Sequence, residues 1–281
     1  MFDGLGDAFA MFLVDDDRAV KLTTAKLFVT LAQSEPGAVI PAVDSLAGRL
    51  ADDEEFYYVR ARCAEALGYL ALEAPAEVGD PEILADLRIG LSFDKPEVKE
   101  KLAKALSYVA LGNPSRLRHQ VASLADHLDD EQELVRYHLC TAVVVVGYKH
   151  PEKLSDATSV LRERIDDDNP YVRGRAAEGL ALLVRNEGTD SIPDSDVVET
   201  TGEDPPSFLT TRLATLRDCT GPTEESVPPI ERIGALESIR EETDDIAEKI
   251  TSPDGSECLH CGLDLPEDGP PICPRCGTPL Q

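Results

Sequence analysis

Residues 165–183, IDDDNPYVRGRAAEGLALL, decide the fold. An acidic loop runs into Val172 and Arg173, and small or apolar residues follow the valine at five, eight and eleven positions (Ala177, Leu180, Leu183). At about 100° per residue these offsets share one face of an α-helix, and the small residue at the fifth position admits a close neighbour. The same arrangement occurs at 50–71, LADDEEFYYVRARCAEALGYLA. It occurs five times in all, anchored at Val20-Lys21, Val59-Arg60, Val98-Lys99, Val135-Arg136 and Val172-Arg173, with separations of 39, 39, 37 and 37 residues. A fixed period of this length is the mark of a repeat architecture.

The fifth position after each anchor holds Ala25, Ala64, Ala103, Cys140 and Ala177, and the eighth holds Phe28, Leu67, Leu106, Val143 and Leu180. A second amphipathic stretch precedes the anchor, clearest at Ile40, Val43, Leu46 and Leu50, at Val121, Leu124 and Leu128, and at Leu154, Leu161 and Ile165. Each unit therefore reads as a helix pair, and the chain as an all-α solenoid of about five pairs. Asp52-Asp53, Asp94, Asp129-Asp130 and Asp166 to Asp168 are positioned to cap the second helices, and Pro96 and Pro170 suit a first turn. A cation just inside a helix N-terminus opposes the macrodipole, so Lys21, Arg60, Lys99, Arg136 and Arg173 are expected to pair with loop aspartates of adjacent units.

Segments 50–71 and 165–183 resemble HEAT repeats of the phycobilin-lyase-like subtype, over about residues 1–187. The resemblance implies a protein-binding surface, often the face lined by the second helices. It does not carry bilin attachment to this chain, because no separate bilin-handling motif accompanies the repeats.

Composition narrows the function. Of 281 residues, 54 are acidic and 27 basic, a formal net charge of -27, which argues against a phosphate backbone as partner. The low lysine content, the Asp-rich loops and the lack of Trp point to a salt-in halophile, archaeal in type, whose charge is screened by molar internal salt. No run reaches the roughly 18 apolar residues of a membrane span, and Asp3 and Asp7 are unlike the basic start of a signal peptide, so the expected location is cytoplasmic.

Cys258-Leu-His-Cys261-Gly and Cys273-Pro-Arg-Cys276-Gly form two CxxCG knuckles separated by eleven residues. Two residues between thiols let one turn aim both sulfurs at a single ion, and four thiolates make a closed tetrahedral site. The segment resembles a rubredoxin-knuckle zinc ribbon over 256–281, with structural Zn2+ held by Cys258, Cys261, Cys273 and Cys276. A single-iron site and redox disulfide chemistry are the alternatives. Residues 251–281 carry one basic residue, Arg275, against five acidic ones, which speaks against nucleic acid there.

Between solenoid and ribbon, 188–228 reads as an acidic, Pro-rich linker with a short helix at 207–219, and 229–250 as an amphipathic helix. That helix has two readings, packing on its own solenoid or ribbon, or engaging a partner, including a homodimer. His119, His127, His138, His150 and His260 lack ligand spacing and read as structural or surface residues. Cys63 and Cys140 read as core residues and Cys219 as a free thiol near a linker. With no catalytic motif in view, the expectation is a non-catalytic protein-binding scaffold. The alternatives are an accessory factor of transcription, translation or repair that contacts nucleic acid through its ribbon, and a bilin-lyase-like enzyme.

Overall fold

The computed structural model describes residues 4–187, 205–220 and 236–251, together with the single positions 263, 265 and 273. Among the described residues there is no strand. The helices are α1 (Leu5–Ala10), α2 (Arg18–Ser34), α3 (Val43–Ala51), α4 (Tyr57–Glu73), α5 (Pro81–Ile89), α6 (Pro96–Gly112), α7 (Val121–Ala125), α8 (Glu133–Lys149), α9 (Thr158–Glu163), α10 (Pro170–Glu187), α11 (Ser207–Thr220) and α12 (Leu236–Thr251).

Five pairs account for the first ten helices. The second members, α2, α4, α6, α8 and α10, are 17 or 18 residues long, and their first residues repeat with the spacing of the valine anchors. The first members are shorter and broken by 3-10 turns, including Pro36–Ala38, Ile40–Ala42, Pro114–Arg116 and Pro151–Ala157. A proline inside these segments removes an amide donor and favours the tighter turn. One consequence is that Val39 is buried while Ile40, expected on the apolar stripe, is exposed.

The second helices stack in chain order and bury the expected face. Four of the five valine anchors are fully buried, as are Ala25, Ala64, Ala103, Cys140 and Ala177. Val20 is half-buried. Helix α4 approaches α6 so closely at Gly68 that a Cβ there would lie 2.7 Å from the Ala105 Cα. Helix α11 continues the row beyond α10 through Leu209, Leu213 and Leu216, so it covers the apolar end of the last repeat.

The loop acids act one step upstream of the expected caps. Helices α4, α6 and α8 have no side-chain cap. Asp52, Asp130 and Asp167 instead accept the backbone N–H two residues on, shaping the loop as Asx turns. Asn169 caps α10 through the amides of Tyr171 and Val172.

Three of the five expected cations, Lys21, Lys99 and Arg136, pair with an acid of the next loop. Lys21 reaches Glu55 of the next loop at 2.7 Å, Lys99 reaches Asp130 at 2.5 Å, and the Arg136 guanidinium takes both Asp167 oxygens at 2.8 Å. Arg60 turns back to the Leu50 carbonyl and to Asp53 of its own loop, and its guanidinium lies over the Phe93 ring, 4.4 Å from the centroid. An aromatic ring occupies the place of the next acid.

Candidate functional site: the face of the second helices

A second stripe runs along the second helices, at offsets of three, six and ten from the valine anchors. It holds Arg62, Glu65 and Tyr69 on α4; Lys101, Lys104 and Tyr108 on α6; His138 and Thr141 on α8; and Arg175 and Glu178 on α10. At about 100° per residue these offsets fall within roughly 60° of one another, well away from the apolar face. Charged side chains on a helix normally stay in water, yet Arg62, Glu65, Lys101, Arg175 and Glu178 are all buried.

Pairing makes this burial tolerable. Arg62 donates to Glu65 at 2.5 Å, and Lys101 stands 3.8 Å from the other Glu65 oxygen. Lys104 donates to the Tyr69 hydroxyl at 2.8 Å and lies over the Tyr69 and Tyr108 rings. Glu178 accepts from Arg175 and from Arg212 of α11, each at 2.8 Å, and from the Tyr148 hydroxyl at 2.7 Å. Burial alone would raise the Glu178 pKa, but the two guanidiniums hold it below its ordinary value.

Two arginines against one carboxylate leave an uncompensated positive charge, and α12 supplies the missing acid. Glu242 accepts from Arg175 Nη2 at 2.8 Å and from Arg212 Nη2 at 2.6 Å. Arg175, Arg212, Glu178 and Glu242 thereby close a ring of alternating charge. Phe208 backs it, with its ring centroid 3.5 Å from the Arg212 guanidinium carbon and 5.1 Å from that of Arg175. Phe208 fits only because position 174 is glycine, since a Cβ there would lie 2.5 Å from the ring.

The rest of α12 crosses the same face. Asp244 bonds the Tyr108 hydroxyl and stands 3.4 Å from the Lys104 ammonium, and Arg240 pairs with Glu73 of α4. Burial works against the Lys104 charge, but Tyr69, Asp244 and Glu65 outweigh it and its pKa is raised. Ile239, Thr243 and Ile246 form the buried edge, with Ile246 against Tyr137 and Val172. Glu237, Glu241, Asp245 and Glu248 point to solvent. This is an amphipathic helix laid on a helical surface with anchors at three- and four-residue spacing.

The buried histidine and cysteines of the second helices are committed to structure. His138 is 1% exposed and its Nδ1 lies 3.2 Å from Ser107 Oγ, whose hydroxyl already donates to the Lys104 carbonyl at 2.7 Å. Burial, with the Lys104 and Lys101 ammoniums, pushes the His138 pKa far below its ordinary value and keeps the ring neutral. Burial pushes the Cys140 thiol up to about 12, and the Cys63 thiol is raised for the same reason. Cys219 is half-buried at the end of α11, with its thiol pKa raised by burial. Cys258, Cys261 and Cys276 lie outside the described residues; Cys273 is buried.

The expected helix at 207–219 is α11, one residue longer, and the amphipathic segment 229–250 overlaps α12, which runs one residue further, with 229–235 outside the described residues. The apolar face of α12 meets the solenoid. Neither the arginine pair nor the second stripe was foreseen from the sequence. The available signal was a polar residue at the third position after every anchor: Thr23, Arg62, Lys101, His138 and Arg175.

No family model and no curated protein matches the chain. Solved structures do. An engineered protein superposes with a TM-score of 0.68 at 18% identity, over 77% of this chain and 96% of that one. A designed armadillo repeat protein in complex with the peptide (KR)4 gives 0.66 at 18% identity, over 77% and 99%. Computationally designed armadillo repeat proteins for modular peptide recognition give 0.62 at 15% identity, over 77% and 100%. At these identities the likeness concerns the fold alone, a helical-repeat solenoid.

Proposed function

We propose that this chain is a non-catalytic protein-binding scaffold whose working surface is the face of the second helices. The observation that carries the reading is the seating of α12, which shows that this face holds an amphipathic helix through an apolar edge and buried ion pairs. The designed neighbours named for peptide recognition support the same use of a similar fold, although the peptide (KR)4 is basic and the charges here are reversed. The overall charge of -27 and the engagement of Lys104, Arg175 and Arg212 by carboxylates count against nucleic acid as the partner.

The solenoid at 1–187, of the phycobilin-lyase-like HEAT subtype, is proposed to act together with a zinc ribbon at 256–281. Cys258, Cys261, Cys273 and Cys276 offer four thiolates at knuckle spacing, a donor set suited to Zn2+. Bound zinc would hold the ribbon together, and the protein would work in the cytoplasm of a salt-in halophile. The test is affinity purification in native, high-salt lysate with the full chain and with Arg62→Glu/Lys104→Glu/Arg212→Glu. A stoichiometric protein recovered by the first and lost with the second supports the reading. Identical partners with both chains would contradict it.

A further inference from the structure

The solenoid side of the α12 contact is built for an external acid. Arg175 is fully buried and Arg212 nearly so, and on the solenoid itself they share one carboxylate, Glu178. The second carboxylate comes from Glu242 of α12, and Lys104 likewise faces Asp244 of α12. Helix α12 has six acidic and two basic residues, a net of -4, so its charge complements the cations it meets.

As a ligand, α12 is modest. The middle of its buried edge is a threonine, Thr243, whose hydroxyl is satisfied within the helix by the Ile239 carbonyl at 2.5 Å and gives nothing to the solenoid. Two isoleucines, Ile239 and Ile246, supply its buried apolar anchors, with Leu236 and Ile250 partly buried beside them. A segment on the same chain needs little intrinsic affinity, because its effective concentration is high. A cleft of about 350 Å³ beside it, lined by Tyr171, Phe208, Arg212, Glu242 and Ile246 among others, leaves the edge of the contact accessible.

We propose that the face of the second helices receives an acidic amphipathic helix from a partner protein, and that α12 is a tethered stand-in which this ligand displaces. The inference rests on the scaffold reading and adds the chemistry of the partner: a carboxylate for the Arg175–Arg212 pair, a second near Lys104 and Tyr108, and an apolar edge fuller than that of α12.

The test uses the full chain and a labelled peptide with the sequence of residues 236–251 carrying Thr243→Leu. Binding is followed by fluorescence anisotropy to the natural chain and to Ile239→Ser/Glu242→Gln, whose own α12 is weakened. The peptide is expected to bind the variant about tenfold more tightly, and to lose about tenfold when Arg212→Gln is added or when the peptide carries Glu242→Gln, the scale of one charge-assisted hydrogen bond. Should the double variant lose its helical circular dichroism, Glu242→Gln/Asp244→Asn, which touches only partly exposed carboxylates, replaces it. Equal binding to both chains, or binding indifferent to Arg212→Gln, would overturn the proposal. Equal binding of a peptide whose acids are changed to lysine would overturn it while leaving the scaffold reading intact. A dimer of the natural chain that vanishes in the double variant would make a second copy the occupant, and would also overturn it.

Discussion

Arg175 of α10 donates to Glu242 of α12 at 2.8 Å, joining positions 67 residues apart, and Arg175 is the largest fully buried side chain among the described residues. Its place at the third position after a repeat anchor makes the contact a property of the repeat surface as well as of two residues.

Glu178→Gln should cost more than Glu242→Gln. The first substitution leaves two buried guanidiniums without their interior acid, a loss on the order of 3–5 kcal/mol for a broken buried pair. The second affects a carboxylate that is 30% exposed, and about 1–2 kcal/mol is expected, confined to α12. Urea unfolding measures the first, and amide exchange of 236–251 measures the second.

Acid should destabilise the solenoid in two steps. His138 is neutral and buried with a depressed pKa, so below its unfolded value of about 6.5 the unfolded chain binds the extra proton and stability falls by up to roughly 1.4 kcal/mol per pH unit. Glu178 has a depressed pKa as well, so its contribution is complete above the unfolded value near 4.3 and disappears as the pH drops through the folded one. Between about pH 6.5 and 5, His138→Gln should flatten the first slope and leave the second in place. An unchanged slope in that variant would show that His138 is not the group responsible.

The Arg136–Asp167 bridge should be the strongest rung of the ladder, because it is bidentate and Asp167 is 1% exposed at its side chain. Arg136→Ala should lower stability by about 3 kcal/mol. Lys21→Ala should cost less, because Glu55, although 1% exposed at its side chain, keeps Arg49 as a second partner at 3.3 Å. Thermal melts of the two variants under identical salt rank them directly.

Chelation tests the proposed zinc ribbon. If Cys258, Cys261, Cys273 and Cys276 hold Zn2+, a chelator should release about one zinc per chain and leave the far-ultraviolet signal of the solenoid nearly unchanged, since zinc binding is folding energy for its own small domain alone. A red chromophore in the purified protein would indicate iron instead.

Much of the fold was legible because apolar periodicity is a one-dimensional signal. The offsets carrying Ala64, Leu67 and Leu70 return in every unit and are buried in nearly every unit. The ladder was legible in its cations, but not in the choice of Phe93 over an acid as the neighbour of Arg60. The polar stripe escaped because Arg62, Lys101, His138 and Arg175 differ in type and look like solvated residues; only the stacking of units and the arrival of α11 and α12 bury them. The amphipathic character of α12 was visible in Ile239 and Ile246. Its seat was not, because Glu242 meets Arg175 and Arg212 across 67 and 30 residues of sequence, outside the repeat period. The four CxxC cysteines are the reverse case, clear in sequence and, except for Cys273, outside the described residues.

The central claim is that the face of the second helices holds a helix through the arginine pair. A double-mutant cycle with Arg212→Gln and Glu242→Gln, read as amide-exchange protection of residues 236–251, tests it most directly. The account predicts that each single variant lowers protection and that the double variant is no worse than either, a coupling of about 1 kcal/mol or more. Additive effects, or protection of α12 that neither substitution changes, would contradict it.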